Sequence, residues 1–377
     1  MLVGVPKEIK NREYRVGLSP SAVAELVAHG HRVLVETGVA AAVGYTDDDY
    51  RHAGASIARD AAEVFAAAEM IVKVKEPQPA ECAMLQAGQV LFTYLHIAAD
   101  PALAARLQAT GCIAIAYETV TDAHGRLPLL APMSEIAGRL AVQVGATTLQ
   151  NVFGGAGILL GGVPGVLPAT VTVLGGGVVG ANAARMAMGL GADVVVLDRS
   201  LERLVALDNL FGPRLKTAYA DRASIEALVP RSDLVIGAVL VTGAAAPKLL
   251  SRATVAKMRP GSVFVDVAID QGGCAETSRP TTHDAPTYVE EGVIHYCVTN
   301  MPGGVARTAT QALGNATLPY VLRLADRGWR AALRADPHLR AGLNVAAGTL
   351  THEAVGRSLN RPWVDAATFL DEMPDAA

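Results

Sequence analysis

Charge is scarce in this chain. Only 18% of its 377 residues are Asp, Glu, Lys or Arg, the net charge is −4, and no basic block occurs. That argues against nucleic acid or an anionic membrane as a partner, since both need clustered cations. Cysteine is sparse as well. Cys82, Cys112, Cys274 and Cys297 form no CxxC pair and sit mostly in apolar segments. They read as buried thiols of a reducing compartment, not as disulfides or zinc ligands. The opening MLVGVPKEIKNREYR lacks the basic-then-apolar layout of a signal peptide. From Leu140 to Ala184 there is no charged residue at all, but Gly154-Gly155, Gly161-Gly162, Pro164, Gly165 and Pro168 interrupt the run. No unbroken apolar helix of about twenty residues fits within it. A central strand and its glycine loops, buried on both faces, is expected there instead. Together these absences lead to the expectation of a soluble, cytoplasmic protein with no repeats or low-complexity tracts.

What the chain does have is a phosphate-cradling signature. An apolar run, Val171–Leu174, ends in Gly175-Gly176-Gly177-Val178-Val179-Gly180, followed by a small-residue helical stretch to about Leu190. A second apolar run, Val194–Leu197, closes with Asp198. Gly175, Gly177 and Gly180 fit G-x-G-x-x-G: one for a tight turn, one for close approach to a pyrophosphate, one for helix–strand packing. The helix beginning near Val178 aims its N–H groups and positive dipole end at that pyrophosphate. Asp198 lies about twenty residues on, where a carboxylate accepts from ribose hydroxyls and repels a 2′-phosphate. The expected cofactor is therefore NAD rather than NADP.

A length of 377 residues suits two domains. In the first part, Leu2–Val5, Arg32–Glu36, Met70–Lys75, Gln89–Leu95 and Ile113–Tyr117 read as buried strands. Ser21–His29, Ala61–Ala68 and Pro101–Ala109 read as helices between them. Such βαβ alternation predicts a parallel sheet. A long helix is predicted from Ala131 to about Asn151. After Asp198 the strands continue at Asp233–Gly237, Ser262–Val267 and Ile294–Val298, with a helix near residues 248–257. Beyond Pro302-Gly303-Gly304, Ala306–Ala325 and Val345–Leu359 read as helices that pack back on the first domain. The expected fold class is α/β, with two Rossmann-like, doubly wound parallel-sheet domains. The nucleotide domain, residues 130–306, is inserted into a discontinuous substrate domain of residues 1–129 and 307–377.

In open α/β sheets ligands sit beyond the carboxyl ends of the strands. That rule selects Lys75, His96, Glu118, Asp270 and Asn300-Met301-Pro302, with Arg12 and Arg15 in the loop after the first strand. Two sheets facing across a cleft would bring Lys75 and His96 toward Asp270 and Asn300. Each residue also has an ordinary structural reading. His96 could be a satisfied histidine, Lys75 a solvated strand end, Asp270 a loop cap, and Arg12 and Arg15 surface charges. His29 and His31 flank a turn glycine and do not resemble a metal pair.

Several islands of the chain resemble the L-alanine dehydrogenases, a family related to the nucleotide-binding subunit of proton-pumping transhydrogenases. They are Gly4-Val5-Pro6-Lys7-Glu8, Asn11-Arg12-Glu13-Tyr14-Arg15-Val16, Lys73-Val74-Lys75-Glu76-Pro77, Thr93-Tyr94-Leu95-His96 and Pro132-Met133-Ser134-Glu135-Ile136-Ala137-Gly138. Gly161-Gly162-Val163-Pro164-Gly165-Val166, Asp266-Val267-Ala268-Ile269-Asp270-Gln271-Gly272-Gly273 and Asn300-Met301-Pro302-Gly303 complete the set. The resemblance implies reversible, NAD-dependent oxidative deamination of L-alanine to pyruvate and ammonium by a homo-hexamer. It implies His96 and Asp270 as catalytic residues and Arg15 and Lys75 as substrate-binding residues. For the cofactor it implies Ser134, Gly177, Val178, Val179, Asp198, Arg203, Val239, Leu240, Val267, Ala268, Ile269, Asp270, Arg279, Val298, Thr299, Asn300 and Met301.

Chemistry agrees with those roles. A planar guanidinium at Arg15 suits a carboxylate, and Lys75 can stabilise a developing alkoxide. An imidazole at His96 moves protons near neutral pH. Asp270 can accept a proton and stabilise an iminium. Some positions depart from the family pattern: Ala220 stands where a serine is frequent and Ala156 where an arginine is. A magnesium site attributed to some members uses a Glu and a His on the helix after Pro302, whereas this helix offers Arg323 and Arg327, so no metal is expected. The alternative readings are a soluble NAD(H)-binding transhydrogenase subunit, an opine-type or lysine-oxoglutarate reductase, and a nucleotide sensor without chemistry.

Overall fold

The computed structural model of the protein describes residues 1–239 and 246–372. In chain order its strands are β1 (Leu2–Val5), β2 (Arg32–Glu36), β3 (Ser56–Ala58), β4 (Met70–Val72), β5 (Val90–Thr93), β6 (Ile113–Ala116), β7 (Thr170–Leu174) and β8 (Asp193–Asp198). There follow β9 (Lys216–Tyr219), β10 (Leu234–Gly237), β11 (Val263–Asp266), β12 (Thr287–Glu290), β13 (Val293–Tyr296), β14 (Leu343–Ala346) and β15 (Thr349–Leu350). They build an eight-stranded sheet, β15-β14-β6-β5-β4-β1-β2-β3, and a seven-stranded sheet, β12-β13-β11-β10-β7-β8-β9. The chain divides into two compact units, one of Met1–Pro132 with Val305–Ala377, the other of Met133–Gly304.

In the first unit β1 pairs parallel with both β2 and β4. Strand order thus runs outward in both directions from β1 and β4, which makes a doubly wound sheet with a switch point between them. The predicted helix starts are realised by side-chain caps. Ser19 Oγ accepts the Ala22 N–H, and Asp100 accepts those of Ala102 and Leu103. Sequence reading missed the helix Asp47–His52, which opens with a Thr46/Asp49 capping box, and the short strand β3.

The expected helix over Val345–Leu359 is a correction. The chain turns through Ala347 and Gly348, at φ 46° and 85°, so β14 folds back on β15 with Val345 opposite Leu350. Only Glu353–Leu359 is helical. The apolar spacing misled because β14 lies antiparallel beside β6 and is buried along its whole length, leaving no polar alternation to mark it as a strand.

In the second unit β7 is central, hydrogen-bonded to β10 on one side and β8 on the other. Its two faces feed two apolar clusters, one through Val171 and Val173 and the other through Leu174. The switch point falls between β7 and β10. Both sheets carry an antiparallel edge, β12 here and β14 with β15 in the first unit, so they are mixed rather than purely parallel.

Two further expectations are corrected here. The helix near residues 248–257 shrinks to Arg252–Val255, because Leu250 instead bridges to Ala275 and Ser251 caps the turn. The charge-free run is not buried throughout: beyond the helix Ala131–Thr148, Val152, Leu159, Val166 and Leu167 are exposed, Leu167 at 89%. All four cysteines are buried thiols, as expected. Among the described residues no helix is long and apolar enough to cross a membrane.

Candidate active site

The glycine loop follows β7 directly. Gly175 adopts φ 100°, a conformation that side chains rarely take, and an added Cβ would lie 2.7 Å from the Ala238 carbonyl oxygen. At Gly180 a Cβ would sit 1.8 Å from the Gly175 carbonyl oxygen, so this glycine lets the helix Val178–Gly189 pass over its own loop. Gly177 differs. A Cβ there would meet no protein atom within 4 Å, so internal packing does not account for it. It stands at the start of a helix that has no side-chain cap, where the backbone is open to an approaching anion. These are the properties a dinucleotide pyrophosphate requires, and the loop fits that group.

Asp198 ends β8 and accepts the Gly176 N–H at 2.6 Å and the Ser200 N–H at 2.8 Å, one on each oxygen. These bonds pin the glycine loop to the end of β8. Arg203, on the next helix, donates through Nε to the Gly176 carbonyl and through Nη2 to that of Gly177. Ser134 lies in the first turn of the helix Ala131–Thr148, and this helix packs so closely that a Cβ on Gly138 would sit 2.1 Å from the Val179 carbonyl oxygen.

The other predicted cofactor residues follow the neighbouring strands. Val239 lies just after β10; Leu240 lies outside the described residues. Val267, Ala268, Ile269 and Asp270 form the turn after β11, with Asp270 exposed. That turn is tied down by Asp266, which sequence reading passed over. Its carboxylate accepts the Ala268 and Cys274 N–H groups and the Ser278 hydroxyl, and burial pushes its pKa upward. Lys248 adds bonds to the Gly272 and Gly273 carbonyls. Val298, Thr299, Asn300 and Met301 follow β13, with Asn300 in a left-handed conformation at φ 62°. Arg279 lies with its guanidinium 3.9 Å from the Tyr288 ring centre. Strand order brings these segments to one sheet edge.

The first unit assembles its predicted residues differently, through buried charge. Arg15 is only 2% exposed and gives Nε and Nη2 to Glu13 at 2.7 and 2.6 Å. Its fork is therefore already gripped along one edge, which sequence reading did not anticipate. Lys73, fully buried, meets Glu8 at 3.2 Å and Glu81 at 2.5 Å. Glu8 also accepts the N–H groups of Val74 and Lys75, at 2.6 and 3.3 Å, and so fixes the backbone that carries the Lys75 ammonium. Burial pushes the Glu8 carboxyl upward, against the pull of Lys73.

His96 lies three residues beyond β5, at φ 51°, with its backbone N–H held by Glu118 Oε1 at 2.6 Å. Its ring stacks on Tyr94 at 5.7 Å and stands half exposed, 48% of the side chain accessible. Nδ1 lies 3.6 Å from Glu76 Oε2, beyond hydrogen-bond length but within ion-pair range. Glu76 also pairs with Lys10. Burial pushes the Glu76 carboxyl upward, but the His96 ring and the Lys10 and Lys75 ammonium groups outweigh it and hold the pKa at about 2. Glu13, and more weakly Glu8, favour the charged form of Arg15 against the cost of its burial.

Glu8, Glu13, Lys73 and Glu76 are the residues that sequence reading missed. Their signal was present, since charges interrupt apolar strand ends within the same islands. A cavity of about 200 Å³ beside Arg15 is lined by Lys7, Glu8, Glu13 and Tyr14 among others, but not by Lys75 or His96. A larger open hollow, about 1220 Å³, lies where β5 and β6 begin and contains none of the predicted site residues.

Comparison with known proteins bears on both units. Residues 4–137 match the family model described as alanine dehydrogenase/PNT, N-terminal domain, and residues 141–353 the corresponding C-terminal domain. The chain is 58% identical to the alanine dehydrogenase of Halomonas elongata, over 98% of this chain and 100% of that one. It is 53% identical to that of Bacillus subtilis over 100% of both. A solved structure of an L-alanine dehydrogenase superposes with a TM-score of 0.93 at 55% identity, covering 96% of this chain and 99% of the other. A transhydrogenase from Sinorhizobium meliloti, at 24% identity and a TM-score of 0.79, shares the fold. The chain belongs to the alanine dehydrogenase/PNT family.

Proposed function

We propose that this protein is an NAD-dependent amino-acid dehydrogenase that interconverts L-alanine, NAD⁺ and water with pyruvate, ammonium, NADH and a proton. The observation that carries this reading is full-length identity above one half to proteins named alanine dehydrogenase, in a chain that has Arg15, Lys75 and His96 at the positions the family resemblance implies. The loop of Gly175, Gly177, Val178, Val179 and Gly180 would hold the pyrophosphate, and Asp198 the ribose. When bound, NAD supplies the acceptor for the hydride that leaves Cα.

This chain's own residues handle the rest. Arg15, steadied by Glu13, presents its guanidinium to the substrate carboxylate. Lys75 donates to the carboxylate or keto oxygen and stabilises negative charge as the carbinolamine forms or collapses. His96 moves the proton at that oxygen. Asp270, exposed after β11, accepts a proton from ammonium, water or the carbinolamine and favours the iminium. With this reading come a homo-hexameric assembly, implied by the family resemblance, and the cytoplasmic location expected from the composition.

A panel of L-amino acids assayed for NADH formation at alkaline pH tests the proposal. Alanine-dependent reduction of NAD⁺, and not of NADP⁺, is the expected result. Activity with lysine only, or hydride passage from NADH to NADP⁺ without any amino acid, would overturn it.

A further inference from the structure

We propose that Glu76, clamped by Lys10, is a positioning residue that fixes the orientation and tautomer of the His96 imidazole, so that Nε2 is the atom that exchanges a proton with substrate. This rests on the reading of His96 as the acid–base group. The geometry explains why such a residue is needed. His96 stands half exposed beyond the end of β5, so packing alone does not hold the ring. Its backbone is set in a left-handed conformation, costly for a side chain with a Cβ. Glu118 sustains that conformation by accepting the N–H groups of Leu95 and His96 together. Tyr94 covers one face of the ring. Neither contact says which ring nitrogen carries the proton.

Glu76 does. Its Oε1 is taken by Lys10, which stops the carboxylate from turning away. Its Oε2 is buried, has no hydrogen-bond partner, and lies 3.6 Å from Nδ1. A buried carboxylate oxygen without a donor is unfavourable. A proton on Nδ1, 3.6 Å away, is the donor that this geometry supplies. With Nδ1 protonated, Nε2 carries the lone pair and can take or return a proton. Ring orientation by a carboxylate is how acid–base histidines are commonly tuned. The charged groups around this carboxylate are Lys10 from the loop after β1 and its chain neighbour Lys75. Glu118 holds the backbone side of His96.

The test uses the full chain with Glu76→Gln, Glu76→Asp and His96→Ala. Expected for Glu76→Gln is a fall in kcat of at least about 10-fold, with an upper bound of about 10⁴-fold, the loss when the carboxylate beside a triad histidine becomes an amide. KM for alanine and NADH affinity should stay within about twofold, and Glu76→Asp should recover part of kcat. In ¹⁵N-histidine spectra, with the His96 signals identified by their loss in His96→Ala, the wild-type ring should carry its proton on Nδ1. Glu76→Gln should shift it toward Nε2. Wild-type kcat in Glu76→Gln, or a wild-type ring protonated on Nε2, overturns the proposal. If Glu76→Gln fails to fold, the wild-type spectrum alone decides. Full turnover in His96→Ala would instead sink the acid–base reading beneath it, a result separable from failure at Glu76.

Discussion

The two units build the sheet edges proposed to bind ligands from opposite materials. The second unit works by leaving side chains out. Gly175, Gly177 and Gly180 expose backbone, and the groups that hold the loop, Asp198 and Arg203, act on its N–H and carbonyl groups. The first unit works by burying charge: Arg15 on Glu13, Lys73 between Glu8 and Glu81, Glu76 between Lys10 and His96. Both sit at the switch point of a doubly wound sheet. Topology thus chooses the place, while side chains choose the chemistry. A backbone cradle suits a cofactor with a fixed diphosphate. Fixed charges suit a small acid whose protons must be moved.

The sharpest way to break this contrast is to put side chains into the cradle. Gly180→Ala forces a methyl 1.8 Å from a carbonyl oxygen and should disrupt the second unit outright, seen as loss of soluble protein or of its thermal transition. Gly177→Ala meets no protein atom, so its melting temperature should stay near wild type while NADH affinity falls at least tenfold. Equal destabilisation by both would show that the cradle is only a packing device. The corresponding change in the first unit is Lys73→Met, which leaves Glu8 and Glu81 buried without their cation. It should cost about 3–5 kcal/mol of stability, read by denaturant unfolding. A change within 1 kcal/mol would mean that the carboxyls simply take up protons and the network does not hold the Lys75 backbone.

The same contrast explains what could be read from the sequence. Glycine spacing is local, so the loop, β7, β8 and Asp198 were legible from twenty-eight consecutive letters. Strand-end rules selected Lys75, His96 and Asp270 as candidates for the same reason. Pairing between distant charges is not local. Glu8 lies 65 residues from Lys73, and nothing in either neighbourhood names the other. The hairpin of β14 and β15 escaped because burial on both faces erases the alternation that marks a strand. The charge-free stretch misled in the other direction, since apolar residues such as Leu159 and Leu167 stand exposed.

Division of labour between the two units is the central claim, and one variant tests it most directly. In His96→Ala, kcat for alanine oxidation should fall by about 10²–10⁴, while NADH affinity, followed by its fluorescence on binding, remains within twofold of wild type. Undiminished turnover, or a parallel loss of NADH binding, would contradict it.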